Sequence, residues 1–302
     1  MLRLSKHEEH SFSNLLDGID GQHFGSIQRT LSMDFTNQVV LITGASQGIG
    51  RCLAGDFAKR GATVVGCGRS REGLHETLDE IRAASPMSSV IACDVGDRAQ
   101  VRAMIDQALT TFGKIDILIN NAGIGTRRPF AETSLDTIEE IMRTNFLGTV
   151  YCTRAVLPSM ISRGRGHIVN ISSVSGHIGT PNMAAYCASK FAMNGFSESL
   201  YHELRPLGIH VSVVSPGPVK TDFSRAFADV PPKSPLSLAV TPQAVSRAVI
   251  KIIERRRFEV VMPRWLALIC WLKRVAPNLF RLVWQRSFRH YVVGSRIRGT
   301  EL

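Results

Sequence analysis

Between residues 38 and 262, short apolar runs alternate with stretches whose apolar positions recur every three or four residues. The runs at 39–43, 63–67, 89–93, 115–120, 167–172, 210–214 and 258–262 predict seven strands. The stretches near 48–60, 71–84, 97–112, 134–163, 185–205 and 241–257 predict helices. Regular β–α alternation needs a crossover between parallel neighbours, so the expected fold is α/β: a single doubly wound, Rossmann-like domain over 35–262. Two segments fall outside the rhythm. Residues 1–34 show no sustained period and read as a poorly ordered extension, with Met33 an equally good start. A loop at 229–240, carrying Pro231, Pro232, Lys233 and Pro235, sits where a substrate lid would be placed.

Composition narrows the class. The 302 residues are 44% hydrophobic and 20% charged, which excludes a wholly disordered or fibrous chain. With a mean hydropathy of +0.04 and no uncharged apolar run of about 18 residues, no transmembrane helix is expected. The charged start, with Arg3, Lys6, Glu8 and Glu9, lacks the apolar core of a secretory signal. Six scattered cysteines without C-x-x-C spacing read as reduced cytoplasmic thiols, and nine histidines show no ligand spacing, so no metal is proposed.

The run at 39–43 leads directly into Gly44-Ala-Ser-Gln-Gly48-Ile-Gly50 and then into a helix. Glycines there let the backbone turn sharply and approach a pyrophosphate, which the helix N-terminus favours electrostatically. The second run ends Gly66-Cys67-Gly68-Arg69-Ser70-Arg71, with no acid before Glu72. An acid at that point would accept from the ribose hydroxyls of NAD, whereas an arginine pairs with the 2′-phosphate of NADP. Arg69 is the candidate clamp and NADP(H) is preferred over NAD(H); the alternative is that Arg69 and Arg71 are solvated loop charges.

Tyr186 and Lys190 stand at i and i+4 and so share one helix face. A phenol titrates near 10, and a neighbouring cation makes its anion accessible closer to neutrality. Four further signals surround this pair: Ser173 after a strand, Asn120-Asn-Ala-Gly123 closing another, Asn145 within a helical stretch, and Pro216-Gly217-Pro218-Val219-Lys220-Thr221 after a later strand. In this ordered set, spanning about 36–262, the chain resembles the short-chain dehydrogenase/reductase family.

The resemblance implies roles. Tyr186 would be the general acid–base, Lys190 would lower its pKa and bind the nicotinamide ribose, Ser173 would hydrogen-bond the substrate oxygen, and Asn145 would hold a water in a relay to Lys190. Gly44, Ser46, Gly48, Ile49 and Gly50 would hold the pyrophosphate side, and Arg69 the 2′-phosphate. Asp94 and Val95 would meet the adenine, Asn121 would steady the sheet and cofactor, and Pro216, Gly217, Val219 and Thr221 would flank the nicotinamide. A homodimer or homotetramer through 134–163 and 185–205 would follow. Of the neighbours, Ser172 lies on the opposite pleat and reads as structural, His177 as a loop residue or pocket liner, and Cys187 as packing.

The net charge of +11 is concentrated in the tail. Residues 251–302 hold twelve Lys/Arg against Glu254, Glu259 and Glu301, and all three tryptophans. Within 263–302 two amphipathic helices are expected, broken at Pro277: one with Trp265, Leu268, Ile269 and Leu272 on a stripe, the next with Phe280, Trp284 and Phe288. Such a tail would lie on an anionic membrane surface, roof the substrate pocket or pack between subunits; nucleic acid suits it poorly. The expected activity is NADPH-dependent interconversion of a hydrophobic, lipid- or steroid-like ketone and its alcohol. The alternatives are a 3-oxoacyl thioester reductase or a non-catalytic cofactor-sensing scaffold, for which Ser173, Tyr186 and Lys190 together would serve no purpose.

Overall fold

The computed structural model describes residues 34–221, 223 and 239–294; the extension before 34, most of the 229–240 loop, the chain beyond 294 and the side chains of 288–294 lie outside the described residues. Seven strands form one parallel sheet: β1 (Val39–Thr43), β2 (Thr63–Gly68), β3 (Ser89–Ala92), β4 (Ile117–Asn120), β5 (Gly166–Ile171), β6 (Ile209–Pro216) and β7 (Glu259–Met262). Their order across the sheet is β3-β2-β1-β4-β5-β6-β7. All seven match expected runs, with ends moved by two residues at most. Each residue of β1 and β4 is buried, as a parallel sheet covered on both faces demands.

The helices are α1 (Gly48–Ala58), α2 (Arg71–Arg82), α3 (Arg98–Phe112), α4 (Leu135–Met142), α5 (Gly148–Ser162), α6 (Ala184–Leu204), α7 (Pro242–Glu254), α8 (Arg264–Val275) and α9 (Pro277–Gly294). Side-chain caps explain several starts: Ser70 accepts from Gly73 N–H, Asp97 from Ala99 and Gln100, and Thr241 from Ala244 ahead of a first-turn proline. Gln47, before α1, makes no such bond. That leaves the start of α1 without a side-chain cap at the mouth of the sheet.

Two expectations need correction. The helix expected over 134–163 is two helices joined by a π-helical turn, Arg143–Leu147. One extra residue in that turn shifts the face on which Asn145 projects, which apolar periodicity does not register. The first tail stripe is also misplaced. In α8 the inward residues are Leu266 and Cys270, with Trp265 and Ile269 half-buried, whereas Leu268 and Leu272 face outward. Pro277 does separate the two tail helices, as first residue of α9, where its missing N–H costs nothing.

Because the chain steps from β3 back past β1 to β4, the C-terminal ends of β1 and β4 diverge into a crevice. All the site segments open onto that edge.

Candidate active site

At the β1 end, Gly44 and Gly48 adopt φ of +66° and +57°, the left-handed region that side chains avoid. A Cβ on Gly50 would lie 2.0 Å from the Gly44 carbonyl oxygen, so α1 can approach the turn only with glycine there. Ile49 is half-buried beside them. Asn121, just past β4, donates from Nδ2 to the carbonyls of Thr43 and Gly44, while the Thr43 hydroxyl accepts from the Asn121 and Ala122 N–H groups. Arg51 finishes the cradle: it donates to the Ser46 carbonyl at 2.8 Å and to Thr77, and pairs with Glu76 and Glu80 of α2. Sequence reading passed over Arg51, although its place one residue after Gly50 and two acids spaced four apart on α2 were visible.

Glycine turns, a helix start without a side-chain cap and a fixed loop on either side suit the phosphates of a dinucleotide. At the neighbouring strand end, Arg69 is more than half exposed and lies 3.5 Å from Glu140 of α4. Asp94 accepts from Gly96 N–H at 2.9 Å. Val95 points into the core against Gly148, where a Cβ would come within 2.8 Å of it. Any adenine contact at Val95 therefore falls to its backbone. Beyond β6, Gly217 N–H donates to the Met262 carbonyl, Val219 bridges to Val240, and the Thr221 methyl approaches Gly48. Pro216 is buried at the strand's end.

The second half of the crevice gathers Ser173, Tyr186, Lys190 and Asn145, all less than a tenth exposed. Ser173 follows β5, where its hydroxyl accepts from Ser175 N–H and caps the turn Val174–Gly176. It also hydrogen-bonds the Tyr186 phenol, which eases the phenol's ionisation; burial is the larger effect and pushes its pKa up to about 12. Lys190, one turn along α6, has its Nζ 5.8 Å from the centre of the Tyr186 ring and donates to the Ile171 carbonyl at 2.8 Å. Burial brings this ammonium down to about 8. The chain itself thus holds Tyr186 as a neutral phenol, a proton donor.

Asn145 is fully buried, and its side chain pairs twice with Ile124: Oδ1 accepts from the N–H and Nδ2 donates to the carbonyl, with a further bond to Ser189. The π turn thereby pins the strand-end loop against α6. A Cβ on Gly123 would stand 3.3 Å from Asn145 Oδ1 and 3.8 Å from Lys190 Nζ, so these three groups share one small space. Behind them runs a ladder that the sequence did not disclose. Asn120 donates to Asn170 at 2.8 Å, and Asn170 to Ser197 of α6 at 2.8 Å. Its only signal was an asparagine at the end of one apolar strand run and another next to the end of the following one.

Of the neighbours, Cys187 is buried and its sulfur accepts from Thr180 N–H. Ser172 Oγ is buried with no hydrogen-bond partner among the described residues. His177 is more than a loop residue: Nε2 lies 3.1 Å from Ser215 Oγ, 3.1 Å from Glu259 Oε1 and 3.3 Å from Asn194 Nδ2. The hydrogen bond from this ring holds the Glu259 carboxyl below its ordinary pKa. Beside Tyr186 opens a crevice lined by Arg128, Phe130, Ile138, Asn182 and Met183. Among the described residues no three His, Cys, Asp or Glu side chains gather as a metal cluster, and no helix is long and apolar enough to cross a membrane.

The family described as short chain dehydrogenase matches residues 38–230. The ketoacyl reductase HetN of Nostoc sp. is 40% identical over 228 residues, 75% of this chain and 79% of that protein. A short-chain dehydrogenase/reductase from Burkholderia phymatum, solved with NAD, aligns with a TM-score of 0.73 at 28% identity over 89% of this chain and 99% of that one. A metagenomic short-chain oxidoreductase, solved with NADP, aligns at 0.65 and 32% over 75% and 96%.

Proposed function

Since the chain belongs to the short-chain dehydrogenase/reductase family, oxidoreductases of CH–OH and C=O groups on a fold that binds a nicotinamide cofactor, we propose that it is an NADPH-dependent reductase of a hydrophobic ketone. The observation that carries this reading is the convergence of Ser173, Tyr186 and Lys190 in one buried corner, with the phenol kept protonated. When bound, the cofactor supplies hydride to the carbonyl carbon. Ser173 and Tyr186 aim hydroxyls at the oxygen on which charge develops. Tyr186 releases its proton to that oxygen, and the Lys190 ammonium stabilises the phenolate left behind. Asn145 holds the strand-end loop beside Lys190 and orders the route by which the proton is replaced.

Gly44, Ser46, Gly48, Ile49 and Gly50 would hold the pyrophosphate of that cofactor, Asp94, Val95 and Asn121 its adenosine side, and Pro216, Gly217, Val219 and Thr221 its nicotinamide side. Preference for NADP follows from Arg69. Its pair with Glu140 is long and solvent-exposed, worth little, so the guanidinium is available to a 2′-phosphate. Phe130, Ile138 and Met183 beside Tyr186 favour an apolar substrate. Arg128 in the same lining supports a second reading, a 3-oxoacyl thioester whose carrier is anionic, in keeping with the name of the Nostoc relative.

The same proposal takes the protein as a homodimer or homotetramer through α4, α5 and α6, which expose Leu135, Ile161 and Phe191, and as peripheral to a membrane through its tail. The deciding experiment follows NADPH and NADH oxidation with aliphatic ketones, cyclic ketones and 3-oxoacyl thioesters. Turnover of an apolar ketone with NADPH is expected; turnover of thioesters alone selects the second reading, and no turnover with any of them removes both.

A further inference from the structure

α8 and α9 present two unlike faces. Inward, Leu266, Cys270 and Phe280 close on Val174 and Ile178, the loop that follows Ser173. Polar contacts reinforce this seam: Lys273 Nζ donates to the His177 carbonyl, and the Trp284 indole N–H to the Gly179 carbonyl at 3.2 Å. His177 is itself held by Ser215 and Glu259. The loop from Ser173 to Thr180 therefore leans on the tail helices at successive points.

Outward, the helices are apolar where water would be expected. On α8, Leu268, Trp271, Leu272 and Val275 recur at i, i+3, i+4 and i+7, and Leu268 is 65% exposed. On α9, Leu279, Leu282 and Val283 continue the pattern, each about half exposed. Lone exposed leucines are ordinary; two ordered stripes on consecutive helices are not.

Charge identifies the occupant. No Asp or Glu occurs between Val260 and Thr300, while Arg264, Arg274, Arg281 and Arg286 lie exposed on these helices. A second copy of the same face would bring like charges together across a two-fold interface. An anionic lipid surface takes both features, with the stripes entering the acyl boundary and the cations meeting headgroup phosphates.

We propose that α8 and α9 dock on an anionic bilayer through their outer stripes, and that this docking steadies the Ser173–Thr180 loop from behind. The inference deepens the peripheral-membrane part of the proposed function, and rests on the reductase reading only for the role of Ser173. The helices cannot shift on the membrane without moving the seam that supports the loop, so lipid contact and order at Ser173 are linked.

The test uses the full chain and vesicles of phosphatidylcholine with or without phosphatidylserine. Co-sedimentation is expected with phosphatidylserine and to weaken as salt rises. The double variant Trp271→Glu/Val275→Glu, whose sites face away from the seam, should bind about tenfold or more weakly yet keep its ketone turnover without vesicles. Hydrogen exchange at amides 174–180 should slow on phosphatidylserine vesicles for the unaltered protein and not for the variant. Failure of the unaltered protein to pellet overturns the docking. Pelleting with unchanged exchange at 174–180 overturns the link to the loop. A variant that merely dissociates into smaller species, with no vesicle binding by the parent, shows a subunit interface and overturns the proposal. Failure of the reductase reading is distinct: no NADPH oxidation, with pelleting and protection intact.

Discussion

Lys190 carries its ammonium 5.8 Å from the centre of the Tyr186 ring, one helical turn away, while its hydrogen bond goes to the Ile171 carbonyl at 2.8 Å. The two groups are shifted in opposite directions by the same burial, the phenol up to about 12 and the amine down to about 8. Each is pushed towards its neutral form, the state in which a buried donor and its neighbour are cheapest to hold.

Replacing Tyr186 by Phe removes the proton donor and leaves the ring. Turnover is expected to fall by about 10³-fold or more, with NADPH affinity, read by quenching of protein fluorescence, close to that of the parent. Retained turnover would refute the assignment of Tyr186.

Lys190→Met tests the amine and carries a pH signature. The folded pKa near 8 lies below the unfolded 10.5, so the unfolded chain binds more protons between these values and the parent gains stability as pH rises through that window. Below pH 8 the parent carries the full penalty of a buried charge. The variant should be the more stable protein at pH 7, by about 2 kcal/mol once the lost hydrogen bond is set against the relieved charge. That advantage should shrink towards pH 10. Denaturant unfolding at the two pH values checks it, and a pH-independent difference would count against a depressed Lys190.

Gly50→Ala places a methyl where 2.0 Å separates it from the Gly44 oxygen. Backbone cannot yield there without opening the cradle, so a stability loss of about 1–3 kcal/mol and at least roughly tenfold weaker NADPH binding are expected. Thermal unfolding and a cofactor titration measure the two effects.

Arg69→Ala should raise the KM for NADPH by about tenfold, the value of one charge-assisted contact, and leave that for NADH almost unchanged. Equal effects on both cofactors would place Arg69 away from the 2′-phosphate.

How much of this was legible depended on the range of the interaction that settles it. The inner strands were readable because a strand buried on both faces is a continuous apolar run, a property of a few adjacent residues, and the half-buried edge strands β3 and β7 because the β–α spacing places them. The glycine turn, Ser173, Tyr186 and Lys190 were readable for a related reason: their chemistry needs fixed residue types at fixed short spacings.

What tertiary structure decided involves partners far away in the chain. Leu266 rather than Leu268 faces inward because α8 is apolar nearly all round, and only the loop at Val174 and Ile178 selects a face. Asn145 meets Ile124 through a π turn whose extra residue leaves no trace in periodicity. His177 owes its place to Ser215 and Glu259, residues 38 and 82 positions further on, and Arg51 its place to acids on the next helix. Composition and local pattern determined the class of fold and the kind of chemistry; the direction of each face, and the company each polar group keeps, came from long-range packing, because a lone helix has no inside until something lies against it.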